Sequence, residues 1–136
     1  KIVLDCAHGA TYQTAPIIFS LLGAEVIPLH NKPNGANINA NCGTEHIDML
    51  QNTVLELQAY AGFAFDGDGD RVIAVSKNGL IKNGDDILAL LLDHPAYATT
   101  KTVIGTSMTN SAFEHYLHTT NRNLIRTEVG DKYVIA

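Results

Sequence analysis

The stretch Gly62-Phe63-Ala64-Phe65-Asp66-Gly67-Asp68-Gly69-Asp70-Arg71-Val72-Ile73-Ala74-Val75 decides the fold. Its two apolar ends read as short buried strands, which leaves the acidic centre as a tight loop between them. Three carboxylates stand at alternate positions with glycines between them. Gly67 and Gly69 let the loop curl sharply. A curled loop turns Asp66, Asp68 and Asp70 toward one point, where their charges repel unless a cation neutralises them. A hard divalent ion with oxygen ligands, Mg2+ first, suits such a set.

A plain turn is the competing reading, because Asp-Gly pairs are common in hairpins. One such pair would suffice for a turn; two pairs and a third Asp place like charges together without need. A calcium-binding helix–loop–helix fails on spacing. That loop wants Gly at its sixth position and Glu at its twelfth, and counting from Asp66 these are Arg71 and Lys77.

Outward from the loop the chain alternates strands and helices. Lys1–Leu4 reads as a strand, 12–22 as a helix stopped by Gly23, and 25–29 as a strand in which Pro28 weakens pairing. Strand, helix and strand in so short a span form a βαβ unit with parallel pairing. Residues 31–43 hold Pro33, two glycines and five asparagines, a long polar loop. Such loops are often functional, a bare surface excursion being the alternative. Ile47, Leu50, Val54 and Leu57 line one face of a helix over 45–58. After the strand at 72–75, Lys77-Asn78-Gly79 marks a turn where the first unit closes.

Asn83 then caps a helix over 85–92, and Asn110 caps another that carries Phe113 and Leu117. Strands are expected at 102–105 and 124–127, and Gly130-Asp131 opens a last helix. The fold class is therefore α/β: a mixed, mostly parallel sheet flanked by helices, plus an incomplete second α/β unit. The expected domains are 1–80 and 81–136.

The 136 residues carry a net charge of −5 with no basic stripe, which argues against nucleic acid as a partner. Mean hydropathy is +0.04 and no apolar run reaches the roughly 20 residues of a membrane span. No secretory signal is read at the start, and the two cysteines, Cys6 and Cys42, fall outside metal-ligand spacing. A disulfide between them is not implied, and a cytoplasmic setting is expected. The chain starts inside a strand-like run and ends without a helix cap, so a piece of a longer protein is expected. His115 and His118 read as surface or partly buried residues without a ligand role. His8 follows the first strand, where a polar ligand contact is plausible. Neither glycine-rich phosphate fingerprint is present.

The loop Asp66-Gly67-Asp68-Gly69-Asp70-Arg71 between strands resembles the metal-binding loop of the α-D-phosphohexomutases. Pro33-Asn34-Gly35-Ala36-Asn37-Ile38-Asn39 with Cys42-Gly43, Gly105-Thr106 to Asn110, and Val129-Gly130-Asp131-Lys132-Tyr133-Val134 are similar to the branch acting on amino-sugar phosphates. The resemblance covers essentially the whole chain, as the second domain and the opening of the third in a four-domain enzyme. It implies Mg2+ as cofactor, bridging a phosphoserine of the first domain and Asp66, Asp68 and Asp70. It implies a hexosamine phosphate as substrate, exchanged through a bisphosphorylated intermediate. Arg71, beside the cluster, is the candidate catalytic residue as a donor to phosphate oxygens, with offset of the local negative charge as the alternative. Asp131 and Lys132 are substrate candidates beside His8, with simple helix capping as the alternative. The remaining partners are the domains outside this chain, and a homodimer of the full-length protein is compatible.

Three other functions stay open at this point. One is a phosphohexomutase acting on glucose or mannose phosphates. Another is a haloacid-dehalogenase-like phosphatase, whose first Asp is a nucleophile but whose fifth position, here Asp70, is usually Thr or Val. The third is a non-catalytic cation-binding module.

Overall fold

A computed structural model describes residues 1–135. The chain divides into two compact units, Lys1–Gly84 and Asp85–Ala136. The first carries β1 (Ile2–Asp5), α1 (Thr14–Leu21), β2 (Val26–Leu29), α2 (Asp48–Glu56), β3 (Ala61–Phe65), β4 (Val72–Ser76) and β5 (Ile81–Lys82). Its sheet has the order β2-β1-β3-β4-β5. β1 pairs parallel with β2 and β3, whereas β3–β4 and β4–β5 are antiparallel. The sheet is thus parallel on one side of β3 and antiparallel on the other. Pro28 lies in β2, at the edge, where its missing N–H costs no ladder bond.

The strand alternation sorts the core onto two faces. Val3, Ala64 and Val75 point toward Leu50 and Val54 of α2. Leu4 and Phe63 point the other way, toward Ala15 and Phe19 of α1. α2 lies so close to the sheet that a Cβ on Gly62 would meet Val54 Cγ2 at 2.6 Å and Leu50 Cδ1 at 2.8 Å. The opposite side of α1 leaves Ile17, Ile18, Leu21 and Leu22 largely exposed.

Several expected elements differ in extent. α2 begins at Asp48 because Gly43–Glu45 form a separate 3-10 turn. α1 begins at Thr14, after a 3-10 turn at Ala10–Tyr12, with Pro16 in its first turn. Gly23 adopts φ +89°, the left-handed stop expected after this helix. The short β5 was not expected: its two residues are exposed, and only pairing with Ala74 and Val75 defines it.

The second unit comprises α3 (Gly84–Leu92), whose first residue belongs to the first unit, β6 (Thr102–Thr106), α4 (Ser111–Thr119), β7 (Asn123–Thr127) and α5 (Asp131–Ile135). β6 and β7 pair in parallel, joined by α4. Leu92, Phe113 and Leu117 form its core with Val103 and Leu124. Asn110 caps α4 as expected, its side chain accepting the Ala112 N–H at 2.8 Å. His115 and His118 are exposed on α4. No helix among the described residues is long and apolar enough to cross a membrane.

Candidate metal centre

β1, β2 and β3 run parallel, so the loops that follow them leave the same edge of the sheet, the usual place for a site in such folds. Residues 6–10 follow β1, 30–43 follow β2, and 66–71 follow β3. Among the described residues seven non-glycine residues have positive φ, and five of them lie in the first two loops: Ala7, His8, His30, Asn39 and Asn41. Each such residue costs about 1–2 kcal/mol, so packing must impose these shapes.

Buried Asp5, the last residue of β1, imposes much of this. Its Oδ1 accepts the Ala7 N–H at 2.9 Å. Its Oδ2 accepts the Gly43 N–H at 3.1 Å and bonds His30 Nδ1 at 3.0 Å. One carboxylate therefore ties the ends of β1 and β2 to the end of the asparagine-rich loop. Within that loop the asparagines bond their own backbone. Asn37 Oδ1 accepts the Asn34 N–H, Asn34 Oδ1 accepts the Ala36 N–H, and Asn37 Nδ2 donates to Lys32 O. The Asn39 N–H donates to Ala7 O at 2.9 Å, fastening the loop to its neighbour.

The acidic loop rests on this platform. The Ala10 N–H donates to Gly67 O at 2.8 Å. Gly9 packs directly on the Gly67 backbone, and Gly43, at φ +73°, leaves only 2.7 Å from its absent Cβ to Phe65 O. Asp66, Asp68 and Asp70 converge, one oxygen of each lying within 4.8 Å of the others. Asp66 is buried; Asp68 and Asp70 are exposed. The Arg71 N–H donates to Asp66 Oδ1 at 3.0 Å and Arg71 Nε to Asp66 Oδ2 at 2.8 Å. Arg71 Nη1 donates to Glu45 Oε1 at 2.9 Å. A cavity of about 420 Å3 opens beside the loop, lined in part by Thr44, Glu45, Asp70 and Arg71. The Thr44 hydroxyl is buried and has no hydrogen-bond partner.

The electrostatics are those of a crowded anion cluster. Burial alone would raise the Asp66 carboxyl, but the Arg71 amide and guanidinium outweigh it and hold the pKa at about 2. The neighbouring Asp66 carboxylate pushes Asp70 the other way, upward. The sign for stability follows from linkage. Between the ordinary carboxylate value and about 2, the unfolded chain binds the proton at Asp66 and the folded chain does not. Without divalent cations, this contribution is present above about pH 4 and is lost as pH falls toward 2. Thermal melts in that window should therefore fall more steeply for the native chain than for Arg71→Ala, which lacks the guanidinium. Parallel curves would contradict the assignment.

The donor set fits a hard cation. All three ligands are carboxylates with oxygens within 4.8 Å of one another, and adjacent corners of a Mg2+ octahedron lie about 3 Å apart, so a modest closing movement of the loop seats the ion. Arg71 stands beside them, but two of its donors are already engaged by Asp66 and Glu45. His8 lies on the platform loop, its Nδ1 accepting the Lys32 N–H at 3.2 Å and its ring meeting His30 edge-on. Asp131 and Lys132 belong to the second unit, exposed at the start of α5, with Lys132 Nζ 4.7 Å from the Tyr133 ring centroid. Sequence reasoning missed Asp5 and Glu45. Asp5 fell just past the expected first strand, with no role assigned to it, and Glu45 reaches Arg71 from a 3-10 turn that replaces the expected start of α2. It also treated Cys42 as outside any ligand pattern, whereas Asp5, His30 and Cys42 bring ligand atoms within 4.8 Å of one another. Linear spacing hides this because Asp5 ends β1 while His30 and Cys42 stand at opposite ends of the long loop after β2. Both thiols are free, and burial raises each, Cys6 to about 11.

Comparison with known proteins gives the following. Residues 1–79 match phosphoglucomutase/phosphomannomutase, alpha/beta/alpha domain II, and residues 83–136 match alpha/beta/alpha domain III of the same family. The chain is 49% identical to the phosphoglucosamine mutase of Pseudomonas fluorescens, over all of this chain and 31% of that protein. It is 47% identical to that of Nitrosococcus oceani and 44% to that of Acetivibrio thermocellus, over 99% of this chain in both cases and 30% and 31% of theirs. The chain thus spans about 30% of the length of the curated relatives it matches. A phosphoglucomutase/phosphomannomutase family protein of Burkholderia thailandensis shares the fold, with TM-score 0.82 and 24% identity over 98% of this chain and 30% of that one. An N-acetylglucosamine-phosphate mutase in its apo-form superposes with TM-score 0.63 at 19% identity, over 97% of this chain and 30% of that one.

Proposed function

The chain belongs to the phosphoglucomutase/phosphomannomutase family, and from that premise we propose that it is the cation-holding part of a phosphoglucosamine mutase. The full-length enzyme would interconvert glucosamine 6-phosphate and glucosamine 1-phosphate through an enzyme phosphoserine. The observation that carries the choice of sugar is the sequence identity along the whole chain to phosphoglucosamine mutases. Residues 1–80 are proposed as the second domain and 81–136 as the opening of the third.

In this reading Asp66, Asp68 and Asp70 hold Mg2+, which when bound supplies charge neutralisation at the phosphoryl group. The chain's own part is positioning. Arg71 fixes the Asp66 carboxylate with its amide and its Nε, and Glu45 holds the guanidinium from the other end. Its Nη2, outside those bonds, is the proposed donor to a phosphate oxygen. His8, Asp131 and Lys132 are proposed as polar contacts to the sugar phosphate. The other domains of the full-length enzyme are its proposed partners, with a cytoplasmic setting.

The test compares kcat/KM of the full-length enzyme for glucosamine 6-phosphate, glucose 6-phosphate and mannose 6-phosphate. The amino sugar should be preferred; preference for mannose or glucose would move the protein to another branch. Taken alone, the chain should be inactive and should bind Mg2+ with a Kd in the millimolar range, about −4 kcal/mol. The reason is that Mg2+ dehydrates reluctantly and commonly needs a phosphate oxygen beside carboxylates. Micromolar binding in calorimetry would contradict this.

A further inference from the structure

We propose that Asp5, His30 and Cys42 form a second cation site, which takes Zn2+ or another thiophilic divalent ion through oxygen, nitrogen and sulfur. The three ligand atoms lie within 4.8 Å of one another. Tetrahedral Zn2+ with bond lengths of about 2.0–2.3 Å sets its ligands about 3.5 Å apart, so a closing movement of at most about 1.3 Å suffices. The donor set differs in kind from the acidic loop. A thiol, an imidazole and one carboxylate select a borderline-soft ion, whereas three carboxylates select a hard one.

The surroundings are already those of a ligand shell. Asp5 and Cys42 are buried, at 0% and 1% exposure, so their groups keep fixed positions. The two oxygens of Asp5 offer about four acceptor directions. The Ala7 and Gly43 amides use two of them and would remain as outer partners that orient the ligand. The third is the contact with His30 Nδ1, the one an ion would replace. The imidazole then carries its proton on Nε2, and the Cys42 thiol releases its proton to solvent. His30 is the entry point, since 17% of its side chain is exposed while the carboxylate is closed off. A water reaching the ion past His30 would complete four-coordination. The left-handed His30 and Asn41, at φ +46° and +53°, bend the backbone near both ends of the loop that supplies His30 and Cys42.

Optical titration of the 136-residue chain with Co2+ tests this. One Co2+ should bind with intense tetrahedral d–d bands and a thiolate-to-metal charge-transfer band in the near ultraviolet. One equivalent of Zn2+ should abolish both. Cys42→Ser should lose the charge-transfer band, and His30→Gln should weaken Co2+ binding at least about tenfold. Cys6→Ser and Asp68→Asn should keep the band. Its absence from the native chain at saturating Co2+ would overturn the proposal whatever the variants do, leaving a hydrogen-bonded cluster only. A band that survives Cys42→Ser, or is lost in a folded Cys6→Ser, would overturn it equally. Circular dichroism of each variant shows whether a lost band reflects a lost ligand.

Discussion

Asp68→Asn in the proposed full-length mutase is expected to lower kcat by about a hundredfold or more, the usual scale for removing one charge-stabilising group. Its melting temperature should stay within about 2 °C of the native value, since an exposed site without partners contributes little. The two outcomes separate because of where Asp68 stands. It is exposed and makes no hydrogen bond or ion pair among the described residues. Asn keeps its shape, so the change removes one charge and nothing that holds the loop. Asp66→Asn would be a poorer probe. It strips Arg71 of a charged partner at 2.8 Å, mixing ligand loss with local unfolding. Raising Mg2+ should recover part of the Asp68→Asn activity. A variant that turns over at the native rate under limiting Mg2+ would remove Asp68 from the ligand set.

Gly9→Ala is expected to be the most damaging single methyl in the first unit. Gly9 is buried and lies against the backbone of Gly67, whose Cα and carbonyl carbon would stand 2.7 and 2.8 Å from the new Cβ. Neither partner is a side chain that can swing away, so the acidic loop itself must lift. Overpacking of this kind costs about 1–3 kcal/mol, and a unit of this size loses roughly 4–8 °C in Tm per kcal/mol. The lifted loop should also lose its Ala10–Gly67 hydrogen bond, and with it divalent affinity. Gly84→Ala is the matched control. Nothing lies within 4 Å of its Cβ position, and it opens α3, where Ala is the better helix former. Equal Tm changes in the two variants would mean that the contact under Gly67 carries no weight.

The strands, helices and acidic loop were legible because each is written locally. Apolar alternation marks β3 and β4, the stripe of Leu50 and Val54 marks α2, and repeated Asp-Gly marks a cation loop. What stayed hidden depends on tertiary approach. Asp5 looks like any strand end until Ala7, His30 and Gly43 arrive around its carboxylate. Arg71 read as a phosphate donor, yet it spends two donors on Asp66 and Glu45. Cys42 read as isolated, because a ligand set drawn from the end of β1 and the two ends of one long loop has no fixed spacing. β5 was invisible since its two exposed residues carry no pattern of their own.

The pairing of β3 with β4 also bears on the order in which the chain acquires its structure. Phe65 faces Val72 in a hairpin, so the acidic loop can close by contacts between near neighbours. Its platform cannot: Gly9, Asn39 and Gly43 must arrive from far along the chain. Closing long loops is entropically slower than zipping a hairpin. In pulse-labelled refolding, the β3–β4 amides should gain protection before Ala10 and Gly43. For a time, then, the nascent protein would carry its three aspartates on a hairpin with no floor beneath it.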